Sequence, residues 1–152
     1  MLLYHLNFGW PLVDEGSQIL WEGDWTARNS DMDRNFFNSE RDIKVCSGIL
    51  DEHSGTGEAA LFIDPSPDRD GLYHFGISNP KLGLTVTVST RKDQLPALTN
   101  WQHMGLREYV VGLEPGTHHP IGQSVARSQG KLIMIQPSES HHYQMKFTVD
   151  QK

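Results

Sequence analysis

Two side chains in this sequence have the chemistry that proton transfer requires. Glu114 ends the apolar run from 110 to 113 and is followed by Pro115, an arrangement that can present a general base at the edge of a sheet. A dry site would raise the pKa of this carboxyl group. His5 interrupts the first apolar run of the chain, and imidazole titrates close to neutral pH. A solvated acid at a strand end and a buried structural histidine are the alternatives for these residues.

The first predicted strand indicates which side chains accompany His5. Successive side chains of a strand point to opposite faces, so Leu3, His5 and Asn7 share one face. An imidazole and an amide two residues apart can both point into a polar cleft. Trp101 and Trp10 are candidates for stacking on a sugar ring, because an aromatic face suits the apolar C–H patches of a pyranose. Packing in the core is the alternative for each tryptophan.

The remaining histidines and the cysteine do not predict a metal site. The histidine pairs at 118–119 and 141–142 are adjacent, and adjacent residues of a strand point to opposite faces. The histidine spacing does not suggest the three convergent ligands that a zinc site needs, so we expect neither a metal nor a cofactor. Cys46 is the only cysteine, which excludes an intrachain disulfide, and we interpret it as a buried structural side chain.

Patterns typical of strands dominate the rest of the chain and predict an all-β, antiparallel fold. The predicted strands are 2–8, 18–21, 43–49, 58–63, 72–77, 82–90, 109–114, 131–135 and 142–149, and 95–104 is either a strand or irregular. The polar segment 24–42 has no sustained period and predicts a long loop with one short helical turn near 33–38. Loops of that length are uncommon in compact domains and are usually functional or mobile.

Length and charge limit the class of protein. The 152 residues suffice for one domain with a core, and we predict a single domain over 1–152. The net charge of -6, with scattered basic residues, argues against a nucleic-acid partner. No apolar run approaches the roughly 20 residues that span a bilayer, and no secretory signal is visible. We therefore expect a cytoplasmic protein with no membrane partner.

Two longer motifs resemble the C-terminal half of aldose 1-epimerases, the galactose mutarotase-like family. They are YHLNFGWPLVDEG at 4–16 and LTNWQHMGLREYVVGLEPGTHHPIG at 98–122, and an uncharacterised branch of the family is the most similar. The resemblance covers nearly the whole chain. It implies an antiparallel β-sandwich of the galactose mutarotase-like type, with the sugar in a cleft across one sheet.

The resemblance also implies a role for each candidate residue. His5 would be the general acid that protonates the ring oxygen, and Glu114 the general base that takes the proton of the C1 hydroxyl group. Ring opening, rotation about C1–C2 and reclosure would then interconvert the anomers of an aldose or a related sugar. Asn7 and Trp101 would line the cleft as substrate-binding residues.

Members of this family usually carry a further N-terminal half, which supplies more strands and another sugar-contacting histidine. We therefore expect a partial sandwich with exposed apolar sheet, completed by self-association or by a partner chain. Two alternatives to catalysis stay open: a non-catalytic carbohydrate-binding module, and an interaction subunit whose sheet only pairs with another protein. Sugar specificity would lie in loops such as 24–42.

Overall fold

Two antiparallel sheets form the molecule, as the sequence predicts. The computed structural model describes residues 1–38 and 42–151. Its strands are β1 (Leu6–Gly9), β2 (Gln18–Leu20), β3 (Gly23–Ala27), β4 (Ala59–Pro65), β5 (Leu72–Asn79), β6 (Leu84–Arg91), β7 (Ala97–Gly105), β8 (Glu108–Gly116) and β9 (Met145–Gln151). The first sheet has the strand order β1-β8-β7-β4-β3, and the second has the order β2-β5-β6-β9.

Helices are short and lie in the connections between strands. Helix α1 spans Asp31–Phe36, α2 spans Gln123–Ser128, and a 3-10 helix spans Asp51–His53. In the described part of the chain, none of these helices has the length and apolar character that crossing a bilayer would take.

The hydrophobic core lies between the two sheets. Leu61 of β4 and Leu113 of β8 belong to the same buried cluster as Phe75 and Ile77 of β5. Because side chains alternate along each strand, the opposite face of the first sheet is free to carry polar groups. Cys46 is buried in this cluster, as expected, and burial raises the pKa of its thiol to about 12.

The prediction of a loop over 24–42 is wrong for the first part of this segment. Strand β3 begins before it and pairs antiparallel with β4, with Trp25 opposite Ile63. An edge strand forms through backbone hydrogen bonds to one neighbour, so its side chains need no apolar alternation, and the sequence pattern misses it. Helix α1 then supplies the predicted helical turn, beginning at Asp31 rather than near 33. The part of the prediction on residues 39–41 lies outside the described residues.

Two predicted strands are absent from the described structure. In 43–49 only Val45 forms a β-bridge, an isolated one with Gln18. The apolar segment 131–135 is not a strand, and Met134 and Ile135 are each 60% exposed. A β-branched apolar run becomes a strand only beside a partner that takes its hydrogen bonds, and no described strand pairs with this segment. The ambiguous stretch 95–104 is largely strand, since β7 spans Ala97–Gly105.

The inner face of the second sheet extends beyond the first sheet. Val88 of β6 is buried in the core, and its partner on β9 is Phe147. Directly opposite residues point to the same face, so Phe147 and Val149 continue the apolar core face. Their exposed fractions are 54% and 65%. The chain therefore forms a partial sandwich with an uncovered apolar strip at β9.

Candidate active site

The outer face of the first sheet brings His5 and Glu114 together. Leu6 pairs with Leu113, so the preceding His5 lies opposite Glu114 across strands β1 and β8. The His5 Nε2 atom is 2.8 Å from the Glu114 Oε1 atom. The His5 side chain is 45% exposed and that of Glu114 only 6%. The imidazole thus lies at the mouth of a cleft and the carboxyl group at its floor.

Glu114 does not lie at the edge of the sheet, where the sequence predicted it. Strand β1 covers one side of β8, and β7 covers the other. Burial raises the pKa of Glu114 to about 7, and the negative charge of Glu58 adds to this rise. The positive charge of Arg28 acts in the opposite direction. A carboxyl group with this pKa can take up or release a proton near neutral pH.

Trp101 of β7 forms a wall of the same cleft. Its ring meets the His5 ring edge to face, with centroids 5.6 Å apart. Its indole N–H donates a hydrogen bond of 2.6 Å to the Glu58 Oε2 atom. Gly112 provides the space between these groups: a Cβ there would lie 3.0 Å from His5 Cε1, 3.1 Å from Trp101 Cε3 and 3.2 Å from Glu114 Oε1. A side chain at 112 would therefore require these neighbouring side chains to shift by a few tenths of an ångström.

The sequence analysis did not identify the charged groups that hold the Trp101 side chain in place. The Arg28 Nη1 atom donates a hydrogen bond of 2.7 Å to the Glu58 Oε1 atom. Burial disfavours the charge on Glu58, but its hydrogen bonds with Arg28 and Trp101 hold the pKa below its usual value. Glu58 is therefore a fixed negative charge that links Arg28 to Trp101.

Asp33 in α1 anchors Arg28 from the protein interior. The Asp33 side chain is fully buried, and its Oδ2 atom accepts a 3.0 Å hydrogen bond from Arg28 Nε. Its Oδ1 atom accepts a 2.7 Å hydrogen bond from the backbone N–H of Ala60. Ser30 completes the set, because Ser30 and Asp33 form a reciprocal capping box at the start of α1. The Ser-x-x-Asp spacing at 30–33 was the signal in the sequence that could have identified this anchor.

The cleft between these residues has a volume of about 230 Å³. Its polar lining includes His5, Glu114, Glu58 and Arg28, and Trp101 supplies an aromatic side. Asn7 is exposed on the same face, one side-chain step along β1 and opposite Gly112, outside the lining of this cleft. Of the four predicted site residues, His5, Glu114 and Trp101 thus meet in one cleft, and Asn7 lies beside it.

In the described ranges 1–38 and 42–151, no group of three or more His, Cys, Asp or Glu side chains is placed to hold a metal ion. The arrangement instead offers one proton donor and one proton acceptor in contact, with a fixed negative charge and an aromatic ring beside them. Such a cleft suits acid–base chemistry on a hydroxylated ring.

The fold of this chain matches part of an aldose 1-epimerase fold. The chain is similar to the crystal structure of a "putative aldose 1-epimerase" from Klebsiella pneumoniae subsp. pneumoniae, with a TM-score of 0.85 and 23% sequence identity. The match covers 97% of this chain and 37% of that protein. The chain therefore spans little more than a third of the length of that protein.

The family follows from the sequence. The model of the family described as "Domain of unknown function (DUF4432)" matches residues 1–149, and the chain belongs to this family. A search of curated proteins found no match to the chain.

Proposed function

We propose that this chain interconverts the anomers of an aldose or a related sugar by acid–base catalysis. The observation that carries the proposal is the 2.8 Å contact between His5 Nε2 and the buried Glu114 Oε1 atom. One proton donor and one proton acceptor near a hemiacetal carbon are what this isomerisation requires.

The proposed reaction begins with ionised Glu114 and protonated His5. Glu114 takes the proton from the C1 hydroxyl group while His5 gives a proton to the ring oxygen. The C1–O bond of the ring breaks, a C1 carbonyl forms, and the open-chain aldehyde rotates about C1–C2. Reclosure returns both protons, so the pair ends in its starting state and no other reactant is consumed.

Two groups would assist this reaction without exchanging protons. Trp101 offers a ring face for the apolar C–H patches of the sugar, and its indole N–H is held by Glu58. Glu58 also contributes to the raised pKa of Glu114, which places the base close to working pH. A cleft held in this way orients the sugar before the reaction, which lowers the entropic part of the barrier.

Polarimetry with fresh α-D-glucose or α-D-galactose tests the proposal. We expect the protein to accelerate the approach to anomeric equilibrium. At low pH, kcat/KM should rise about tenfold per pH unit and level off near pH 7, because Glu114 must be ionised to accept a proton. A spontaneous rate that stays unchanged with every sugar would overturn the proposal, and saturable sugar binding without turnover would favour a carbohydrate-binding module.

Substitution of Glu58 should shift the pH at which this rise in kcat/KM has its midpoint. Glu58→Gln removes a negative charge that raises the pKa of Glu114 and also releases Arg28, whose charge lowers it. Both effects shift the midpoint to lower pH. Arg28→Gln is the opposite control and should shift the midpoint to higher pH, and equal midpoints in both variants and the wild type would contradict this electrostatic role.

We also propose that a second copy of the chain covers the apolar strip at β9. The strip consists of Phe147 and Val149, which continue the core face, and β9 is an edge strand able to pair with another strand. Light scattering at micromolar concentration should give twice the 17.2 kDa mass of one chain. Phe147→Glu should return the mass of one chain, and a wild-type mass of one chain would contradict self-association.

A further inference from the structure

A serine, a histidine and an aspartate form a hydrogen-bonded chain on the outer face of the second sheet. The Ser89 Oγ atom on β6 lies 2.8 Å from His74 Nδ1 on β5, and His74 Nε2 lies 3.0 Å from the Asp68 Oδ2 atom. His74 and Ser89 are directly opposite each other in the ladder of these two strands. Val88, the residue before Ser89, is buried in the core, so His74 and Ser89 both point away from the core. This group is therefore separate from the cleft of the first sheet.

Backbone hydrogen bonds fix the Asp68 carboxyl group in the loop before β5. Its Oδ1 atom accepts hydrogen bonds of 2.9 Å from the N–H of Asp70 and of 3.0 Å from the N–H of Leu72. These two donors direct the other oxygen, Oδ2, toward His74. The hydrogen bond with His74 first, and those with the backbone after it, hold the pKa of Asp68 below its usual value. Asp68 is therefore an ionised carboxylate, which only accepts hydrogen bonds.

The partner at each ring nitrogen of His74 determines which nitrogen carries the proton. Since the Asp68 carboxylate only accepts, a neutral imidazole must donate its N–H from Nε2 to Asp68. The Nδ1 atom then has a lone pair and accepts the hydrogen bond of the Ser89 O–H group. A hydroxyl group bonded to a basic nitrogen, on an imidazole that a carboxylate orients, is the arrangement that activates serine as a nucleophile.

Lys146 supplies a positive charge on the other side of Ser89. It is the partner of Ser89 on β9, and directly opposite residues of a sheet point to the same face. His74, Ser89 and Lys146 thus form one row across three neighbouring strands. Within residues 1–38 and 42–151, Lys146 forms no ion pair. Its ammonium group is therefore available to stabilise negative charge that develops beside Ser89.

A small cavity lies next to this row on the same face. It has a volume of about 230 Å³, and its lining includes His74, Leu20 and Thr87. In the row beyond His74 and Ser89, Gly76 lies between Leu20 and Thr87 and has no side chain to fill the space. The aliphatic side of Leu20 favours an apolar group in a cavity of this size.

The other charged residues of the cavity lining compensate each other. Lys44 and Glu22 both line it, and Lys44 Nζ lies 3.3 Å from Glu22 Oε1. The Lys44 ammonium group also lies over the Trp21 ring, 4.3 Å from its centroid. A cavity with an internally paired charge and an aliphatic wall suits a neutral, short-chain ligand.

We propose that Ser89 and His74 form a second catalytic site, which hydrolyses neutral esters with a short acyl chain, and that Asp68 positions His74. The Ser89 Oγ atom attacks the acyl carbon while its proton passes to His74 Nδ1, and Lys146 stabilises the oxyanion. The bond from the acyl carbon to the alcohol oxygen breaks, and His74 gives the proton to that oxygen. Water then adds to the acyl carbon and gives a proton to His74, which returns it to Ser89 Oγ as the carboxylic acid leaves.

Hydrolysis of p-nitrophenyl butyrate, measured by the release of p-nitrophenolate, tests this proposal. We expect the wild type to accelerate hydrolysis above the spontaneous rate. For Ser89→Ala and for His74→Gln, kcat/KM should fall about 10²-fold, the lower end of what general base catalysis contributes, because the row is open to solvent. Lys146→Met should lower kcat at least as much as kcat/KM, since it removes a charge that acts on the oxyanion.

Two variants serve as matched controls for reactive surface groups. Ser78→Ala changes a serine on the same face of β5, whose Oγ atom lies 2.8 Å from Thr85 Oγ1 and not beside a histidine. His141→Gln changes a histidine whose Nε2 atom lies 2.8 Å from the Glu139 carboxylate, with no role for serine. Both variants should keep the wild-type rate of ester hydrolysis.

Asp68→Asn tests the positioning role with a spectroscopic signature. The amide oxygen should keep the two backbone hydrogen bonds, which leaves the amide NH₂ group facing His74. His74 should then carry its proton on Nδ1, which can no longer accept the proton of Ser89. At about pH 8, where imidazole is ordinarily neutral, long-range ¹H–¹⁵N NMR correlations should show Nε2–H in the wild type and Nδ1–H in the variant. The rate of ester hydrolysis should fall with this change, whereas a merely structural Asp68 would leave the tautomer unchanged.

A fluorophosphonate probe identifies the nucleophile directly. Its phosphorus atom should bond to Ser89 Oγ with loss of fluoride, and peptide mass spectrometry should place the adduct on Ser89. No adduct, an adduct on another residue, or ester hydrolysis as fast in Ser89→Ala as in the wild type would overturn the proposal. The Ser89→Ala variant should keep the wild-type rate of mutarotation, because Ser89 lies on the other sheet, so the two activities are tested independently.

Discussion

Replacement of Glu114 by Gln should remove nearly all acceleration of mutarotation. General base catalysis contributes about 10²–10⁴-fold, and a neutral amide cannot take the proton of the C1 hydroxyl group. Gln has almost the same shape as Glu, so the contact with His5 and the volume of the cleft should be retained. Polarimetry over a range of enzyme concentrations gives the residual rate constant.

The stability of the same variant should show that the activity is lost through removal of the base and not through unfolding. Burial raises the pKa of Glu114 from 4.5 to about 7, so the folded state holds a proton that the unfolded state has already released. The Glu114 carboxylate therefore destabilises the wild type increasingly as pH rises from about 4.5 to 7. Glu114→Gln lacks this penalty, and at pH 8 it should be at least as stable as the wild type by urea unfolding.

Matched controls test whether the effect belongs to this pair. His5→Asn should reduce the rate in the same way, since it removes the proposed acid. Glu139→Gln and His142→Asn change the same residue types outside the cleft and should keep wild-type rates. Retention of the full acceleration by Glu114→Gln would rule out its role as the base.

The core strands were predictable because their two faces differ. Strands such as β6 alternate apolar and polar residues, and the core takes the apolar set, for example Val88. The edge strand β3 was missed because pairing with β4 through its backbone leaves its side chains free to be polar. In 131–135 the reverse error occurred: apolar composition predicted a strand where no described neighbour supplies the hydrogen bonds.

Residues of the candidate site were predictable only where they lie in a short sequence motif. His5 and Glu114 lie in two motifs, and the alternation of a strand shows that His5 faces away from Leu6. Arg28, Asp33 and Glu58 lie in polar segments, where nothing local distinguishes a buried ion network from a solvated surface. These three residues come together because β3 pairs with β4. This pairing brings Arg28 beside Ala60 and places α1 over the same strand.

Asp33→Asn should destabilise the protein more than any other single change in a charged residue considered above. The Asp33 carboxylate is fully buried and accepts hydrogen bonds from Arg28, Ser30 and Ala60. The Arg28 side chain is 34% exposed, so solvent screens this ion pair. Removing a buried charged acceptor leaves its donors without partners, which should cost about 1–3 kcal/mol of unfolding free energy. Urea unfolding at pH 7 measures the loss, and the slope with urea concentration should stay unchanged.

Asp31→Asn is the matched control, because Asp31 lies in the same first turn of α1 and its side chain is 92% exposed. Its pair with Arg34 is a surface ion pair, so its loss should change stability by less than about 0.5 kcal/mol. Equal losses in both variants would contradict a special role for the buried pair.

The pH dependence of stability separates the two aspartates further. Burial opposes the charge of Asp33, but the hydrogen bonds from Arg28, Ser30 and Ala60 hold its pKa below the usual value. The stability that Asp33 contributes is therefore fully present above the pKa of an unfolded aspartate and is lost as pH falls through the lowered value. Asp33→Asn should remove this acid-dependent part, and Asp31→Asn should keep it. Because Asp33 also holds Arg28 against Glu58, its loss should shift the kcat/KM midpoint as well, which would connect a buried helix residue to the proton chemistry of the cleft.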